Sequence, residues 1–88
     1  MDVHFSTNAF EDFCYWQEND KKIFNKLTRL IKNIQRTPFD GIGTPEPLKE
    51  NLSGYWSRRL THEHRIVYKV SGQKGAQTLY IIQCRYHY

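Results

Sequence analysis

Cysteine is scarce in this chain of 88 residues: only Cys14 and Cys84 occur, too few for a disulfide framework or a four-ligand zinc site. A reducing cytoplasm is the expected compartment. No run of about 18 apolar residues is present, so no membrane-spanning helix is expected. Met1-Asp2-Val3-His4-Phe5-Ser6 lacks the basic start and apolar stretch of a signal peptide. No phosphate-binding loop sequence occurs. Ser53 and Ser57 have no nucleophile-elbow glycines and no Ser–His–Asp context, so acyl transfer is unsupported. Glycine and proline are missing from the first 37 residues; all five glycines and all three prolines come later. What remains is a chain that is 39% hydrophobic and 25% charged, with 5 Phe, 6 Tyr and 2 Trp. That composition fits one folded domain over residues 1–88, with bulky aromatics filling a small core.

The net charge is +4, and its placement is informative. Residues 1–40 hold six basic and six acidic residues, whereas residues 41–88 hold seven basic and three acidic ones. A basic second half suits a polyanion such as RNA, DNA or an acidic protein segment, although a merely solvated basic surface has the same composition.

The first half reads as helical. Asn8 with Glu11 forms a candidate capping pair, placing Phe10, Phe13, Cys14 and Gln17 on one helical face. Asp20 can cap a second helix, in which Ile23, Phe24, Leu27, Leu30, Ile31 and Ile34 form one apolar stripe. Thr37-Pro38 ends it, because the residue before proline is pushed out of helical geometry. Val3 and Phe5 alternate with His4 as a short strand. Beyond a turn-rich stretch lie three strand-like runs: residues 55–60, 65–70 and 78–85. Their short loops demand antiparallel neighbours. The fold class is α+β: an N-terminal helical hairpin packed on a small twisted antiparallel sheet. If the 55–60 and 65–70 strands place Arg59 opposite Arg65, two like charges share a face, which costs up to about 1 kcal/mol. An anion between them, or a glutamate (Glu46, Glu50 or Glu63) beside one of them, would offset that repulsion.

Residues able to carry chemistry gather in the second half: Glu46, Lys49, Arg58, Arg59, Arg65, Arg85, Tyr86, His87 and Tyr88. Glu46 stands between two prolines, which either present it on a stiff backbone or simply make a rigid turn. The C-terminal Arg85-Tyr86-His87-Tyr88 sets a histidine between two aromatics, either as a proton-transfer group or as the edge of the core. His4 is expected to point outward, and His62 and His64 to be solvated in a hairpin loop. Cys14 and Cys84 are expected to be packing residues, the latter in a strand. His62-Glu63-His64 is too close-set for a credible metal site. A carboxylate, a histidine and an arginine cluster together meet the needs of phosphodiester transfer in RNA: a base for the 2′-OH, cations for the charge on phosphorus, and an acid for the leaving 5′-oxygen. That chemistry needs no metal or cofactor.

A series of motifs in order resembles the YoeB toxin family of the RelE/ParE toxin superfamily. They are Tyr15-Trp16-Gln17, Arg36-Thr37-Pro38-Phe39, Pro45-Glu46-Pro47-Leu48-Lys49, Asn51-Leu52-Ser53-Gly54, Trp56-Ser57-Arg58-Arg59, His64-Arg65, Val67-Tyr68 and Cys84-Arg85-Tyr86-His87-Tyr88. The likeness runs nearly end to end, with a longer gap over residues 71–77. It implies a RelE-like, microbial-ribonuclease-like fold and a ribosome-dependent mRNA endoribonuclease, the toxin of a type II toxin–antitoxin pair. It implies Glu46 as general base, His87 as general acid and Arg65 on the scissile phosphate. It further implies Tyr88 as a positioning group, with Lys49 and Arg59 on phosphate or neighbouring RNA. The implied partners are mRNA on the ribosome, a YefM-type antitoxin with an acidic disordered segment, and a second copy of the chain. A non-catalytic module of the same fold, binding RNA or an acidic peptide, is the alternative. A relative acting on another target, as ParE-type members poison DNA gyrase, is not expected to hold this residue set.

Overall fold

A computed structural model describes residues 1–87; Tyr88, one of the expected site residues, lies outside the described residues. In chain order the elements are β1 (Asp2–Phe5), α1 (Thr7–Asn19), α2 (Lys21–Arg36), β2 (Glu46–Pro47), a single 3₁₀ turn (Glu50–Leu52), β3 (Trp56–Arg59), β4 (Arg65–Ser71) and β5 (Thr78–Gln83). Among the described residues no helix is long and apolar enough to cross a membrane.

The apolar stripe of α2 is buried at Leu27, Leu30, Ile31 and Ile34, with Ile23 and Phe24 packed at its margin. Helical spacing puts these residues on one side, and the sheet is the surface that removes them from water. Asp20 caps the helix, its carboxylate accepting the Ile23 N–H at 3.1 Å. Thr37 closes it as expected, donating its N–H to the Asn33 carbonyl at 2.9 Å before Pro38.

The start of α1 differs from the sequence expectation. Ser6, not Asn8, is the N-cap, its hydroxyl accepting the Ala9 N–H at 3.1 Å. The Ser6 N–H is itself given to the Ile81 carbonyl at 2.9 Å, so the edge of the sheet fixes where the helix begins. The buried face is accordingly Ala9, Asp12 and Trp16, while Phe10 is 55% exposed and Gln17 lies in solvent.

The sheet has the order β1-β5-β4-β3-β2. Its β2–β3, β3–β4 and β4–β5 pairs are antiparallel, as their short loops require. β1 corrects the all-antiparallel expectation by running parallel to β5, with Asp2 opposite Thr78 and Phe5 opposite Ile81. Parallel neighbours need a long connection, and nearly the whole chain lies between these two strands. The helices cover one face, where Ile66, Tyr68, Leu79 and Ile81 join the core. Side chains alternate across a strand, so Arg58 points under the helices while Ser57 and Arg59 emerge on the other face.

The balanced charge of residues 1–40 conceals a polarity. Residues 1–20 carry five acids and no Lys or Arg, whereas α2 carries six bases (Lys21, Lys22, Lys26, Arg29, Lys32 and Arg36) and no acid. All six basic side chains are exposed. The first half therefore presents a cationic surface as well as packing.

Candidate active site

Glu46 and Pro47 form an edge strand instead of a free turn. Glu46 pairs with Ser57 and Pro47 with Trp56, an edge being where proline's missing N–H is tolerated. On the far side of β3, Arg59 lies directly opposite Arg65. Tertiary structure thus brings four sequence-expected residues to one pocket of about 330 Å³, lined by Thr44, Glu46, Ser57, Arg59, Arg65 and His87. Lys49 is exposed at the start of the 3₁₀ turn and is not part of this lining. A larger cleft of about 650 Å³ lies along α2, lined by Arg29, Lys32, Asn33, Gln35, Arg36 and Ile42. That cleft has no carboxylate and no imidazole, so the acid–base set belongs to the smaller pocket.

The backbone holds the cations in place. Arg59 donates its N–H to the carbonyl of Gly43, whose φ of +81° suits glycine at this close approach. The Arg65 guanidinium is braced by its own hairpin loop, with Nη1 donating to the carbonyls of Thr61 (2.9 Å), His62 (3.1 Å) and His64 (3.1 Å). These neutral carbonyl acceptors orient the group and hold it at the pocket.

His87 reaches the pocket through a segment that leaves the sheet after β5. Between Val67 and Tyr68 the β4–β5 register shifts by one residue, and such a bulge bends a strand and re-aims the chain beyond it. Cys84 lies just past β5 and not within it. Its N–H donates to the buried Asp12 carboxylate at 3.0 Å, and its carbonyl accepts the Trp16 indole N–H at 2.8 Å. Burial raises the Asp12 carboxyl above its ordinary range, a shift opposed by the Cys84 N–H and by Arg85 and His64. Burial also pushes the Cys84 thiol far up, which makes it inert packing, as expected. Cys14 is half-buried.

Two arginines offered by the sequence as chemical candidates do other work. Arg58 is fully buried, and each of its five N–H groups has an acceptor: Tyr68, Asn33, Ile42, Thr37 and Asp40. It fastens the 37–42 loop beneath the sheet. Burial raises the Tyr68 phenol, and the hydrogen bond from Arg58 opposes that rise. Arg85 stacks between the rings of Tyr15 (3.4 Å) and Tyr86 (4.5 Å).

Sequence reasoning missed Thr44 and Ser57 in the pocket wall, and Asp12 and Trp16 as anchors of the terminal segment. It also took His64 for a solvated loop residue. His64 is half-buried, packed edge-on against Trp16 at 4.8 Å, and its Nδ1 accepts the Tyr86 N–H at 2.7 Å. Only the adjacency of His64 to Arg65 hinted at this in the sequence.

A carboxylate, two guanidinium groups and an imidazole around one small pocket can bind a phosphodiester and move protons on both sides of it. Comparison with known proteins places the chain among relatives. Residues 5–88 match a family described as the YoeB-like toxin of bacterial type II toxin–antitoxin systems. The chain is 53% identical to Toxin YoeB of Escherichia coli K12 over the full length of both. Its structure is similar to a YoeB/ParE toxin from Agrobacterium tumefaciens, with a TM-score of 0.95 at 49% identity and full coverage of both chains. It is also similar to a YoeB dimer from Staphylococcus aureus, with a TM-score of 0.88 at 48% identity, covering 100% of this chain and 98% of that one. A heterotetrameric YoeB–YefM complex from the same organism matches with a TM-score of 0.87, 48% identity and the same coverage. The chain belongs to the YoeB-like toxin family of bacterial type II toxin–antitoxin systems, and its fold is that of the RelE/YoeB-like α+β toxins.

Proposed function

We propose that this chain is a ribosome-dependent mRNA endoribonuclease that stops translation by cutting mRNA in the ribosomal A site. The observation that carries this reading is the single pocket uniting Glu46, Arg59, Arg65 and His87. Glu46 takes the proton of a ribose 2′-OH, and the freed oxygen attacks the adjacent phosphorus. Arg65, with Arg59 opposite it, holds the non-bridging oxygens as their charge grows. The 5′-oxygen leaves with a proton from His87. The products are a 2′,3′-cyclic phosphate end and a 5′-hydroxyl end, so atoms and protons balance without a further reagent. Tyr88 positions the nucleotide or the His87 ring, and Lys49 contacts RNA backbone beside the pocket. The chain works in the cytoplasm, where a YefM-type antitoxin covers the basic pocket with an acidic segment and a second copy of the chain completes a dimer. The S. aureus dimer and YoeB–YefM complex support those two partners by similarity.

The test is primer extension on mRNA from programmed ribosomes, with wild type beside Glu46→Gln and His87→Gln. Wild type should produce discrete ends bearing a 5′-hydroxyl. Each substitution removes a proton-transfer group and should slow cleavage about 10²- to 10⁴-fold while ribosome binding persists. Wild type that binds ribosomes and leaves mRNA intact would favour a non-catalytic binding module instead.

A further inference from the structure

The segment that delivers His87 turns through a left-handed residue. Tyr86 has φ of +68°, a strained conformation for a non-glycine residue that persists only where neighbours hold it. Those neighbours are consecutive residues at the start of β4. The Arg65 N–H donates to the Tyr86 carbonyl at 3.0 Å, and the Tyr86 N–H donates to Nδ1 of His64 at 2.7 Å. Both polar groups of this strained residue are thus clamped by the dipeptide that also supplies Arg65 to the pocket. An amide N–H can only donate, so Nδ1 of His64 is the acceptor in this contact. The imidazole is kept at that angle by Trp16, whose ring meets it edge-on at 4.8 Å and 78°. Trp16 in turn donates to the Cys84 carbonyl at 2.8 Å, two residues before the turn.

We propose that His64 is a positioning residue, whose Nδ1 captures the Tyr86 N–H, holds the left-handed turn and so sets the approach of His87 to the scissile phosphate. This rests on the catalytic reading of His87. His64 itself touches no reacting atom. Its effect should therefore fall on the chemical step and not on substrate binding, because displacing the acid by about 1 Å slows reaction on the order of 10²-fold even when substrate is bound.

The experiment is single-turnover mRNA cleavage on programmed ribosomes over a range of enzyme concentrations, comparing wild type, His64→Phe, His64→Asn and His87→Gln. His64→Phe keeps a ring against Trp16 and removes the acceptor. His64→Asn removes the ring and offers a side-chain oxygen near the position of Nδ1. The expected result is a maximal cleavage rate at least about tenfold lower for His64→Phe, an unchanged half-saturating concentration, and recovery by His64→Asn to within about threefold of wild type. If His64→Phe does not fold, His64→Leu replaces it, having the shape of Asn without the acceptor. Amide exchange at Tyr86, followed by NMR, should be slow in wild type and His64→Asn and fast in the acceptor-less variant. Wild-type rates in His64→Phe, a loss confined to half-saturation, or equal damage from Asn and Phe would overturn the proposal. Failure of the underlying cleavage reading would look different: wild type and His87→Gln would then be equally inactive, while Tyr86 exchange would still report the His64 contact.

Discussion

Replacing Arg58 by alanine is the sharpest test of how the pocket is held in place. The side chain is 0% exposed and its five N–H groups make five hydrogen bonds. Three run to the carbonyls of Thr37, Asp40 and Ile42 at 2.6, 3.0 and 2.8 Å, on the loop that leads to Glu46. The other two reach Asn33 Oδ1 at 2.6 Å and the Tyr68 hydroxyl at 3.1 Å. Hydrogen bonds to a charged donor are worth about 1.5–3 kcal/mol each. Thr37, Asp40 and Ile42 lie at the surface, so water can replace the guanidinium there. Asn33 and Tyr68 are more enclosed, and truncation also leaves a cavity. The net loss should be about 3–5 kcal/mol, a large share of the roughly 4–13 kcal/mol available to a chain of this length. At about 4–8 °C per kcal/mol for a small domain, Tm should fall by at least about 12 °C. Urea unfolding followed by fluorescence of Trp16 and Trp56 measures the change. Arg58→Lys, with three donors on one nitrogen, should fall between alanine and wild type. mRNA cleavage should weaken with stability, because the freed loop no longer fixes Glu46. A loss below about 1 kcal/mol for Arg58→Ala would refute the idea that this buried charge fastens the loop.

Other parts of the same geometry give further expected outcomes. The Asp12 carboxyl is raised by burial, so the native chain binds its proton more tightly than the unfolded chain does. Its contribution to stability therefore grows as pH falls through the raised value, and its ionised form is the unfavourable one at neutral pH. Asp12→Asn keeps an acceptor for the Cys84 N–H and should flatten that dependence in urea titrations without loss of stability at pH 7. Asp12→Ala leaves the buried N–H unpaired and should cost about 1–3 kcal/mol. Gly43→Ala would set a methyl 2.9 Å from Leu30 Cδ2 and 3.2 Å from the Arg59 carbonyl at a φ of +81°; a loss of about 1–3 kcal/mol is expected in the same assay. Arg65→Ala should slow mRNA cleavage more than Glu46→Gln does, through lost charge stabilisation, and wild-type cleavage by Arg65→Ala would remove the phosphate-clamp role.

Features that depend on near neighbours were legible. The α2 stripe, the Asp20 cap, the stop at Thr37-Pro38 and the three later strands arise from local spacing and backbone restriction, and the structure bears each out. Arg59 opposite Arg65 was legible because a short hairpin loop leaves few registers. The cap of α1 was misread because Ser6 and Asn8 are both competent locally. A hydrogen bond to Ile81, distant in sequence, decides between them. The fate of three neighbouring residues in β3 shows the same limit. Ser57, Arg58 and Arg59 are equally polar in the sequence, yet alternation about a buried sheet sends Arg58 into the core and leaves the others at the pocket.

The sequence by itself determined the α+β class, the position of the helical stripe and strands, and the motif set that marks the family. Those properties are written in periodicity, in proline and glycine placement, and in consecutive residues. Only the tertiary structure decided which arginine is scaffold and which lines the pocket, that β1 joins β5 in parallel, and how a strained turn at Tyr86 carries His87 to Glu46. Each of these depends on contacts between residues tens of positions apart, and such contacts exist only once the helices and sheet have closed on one core.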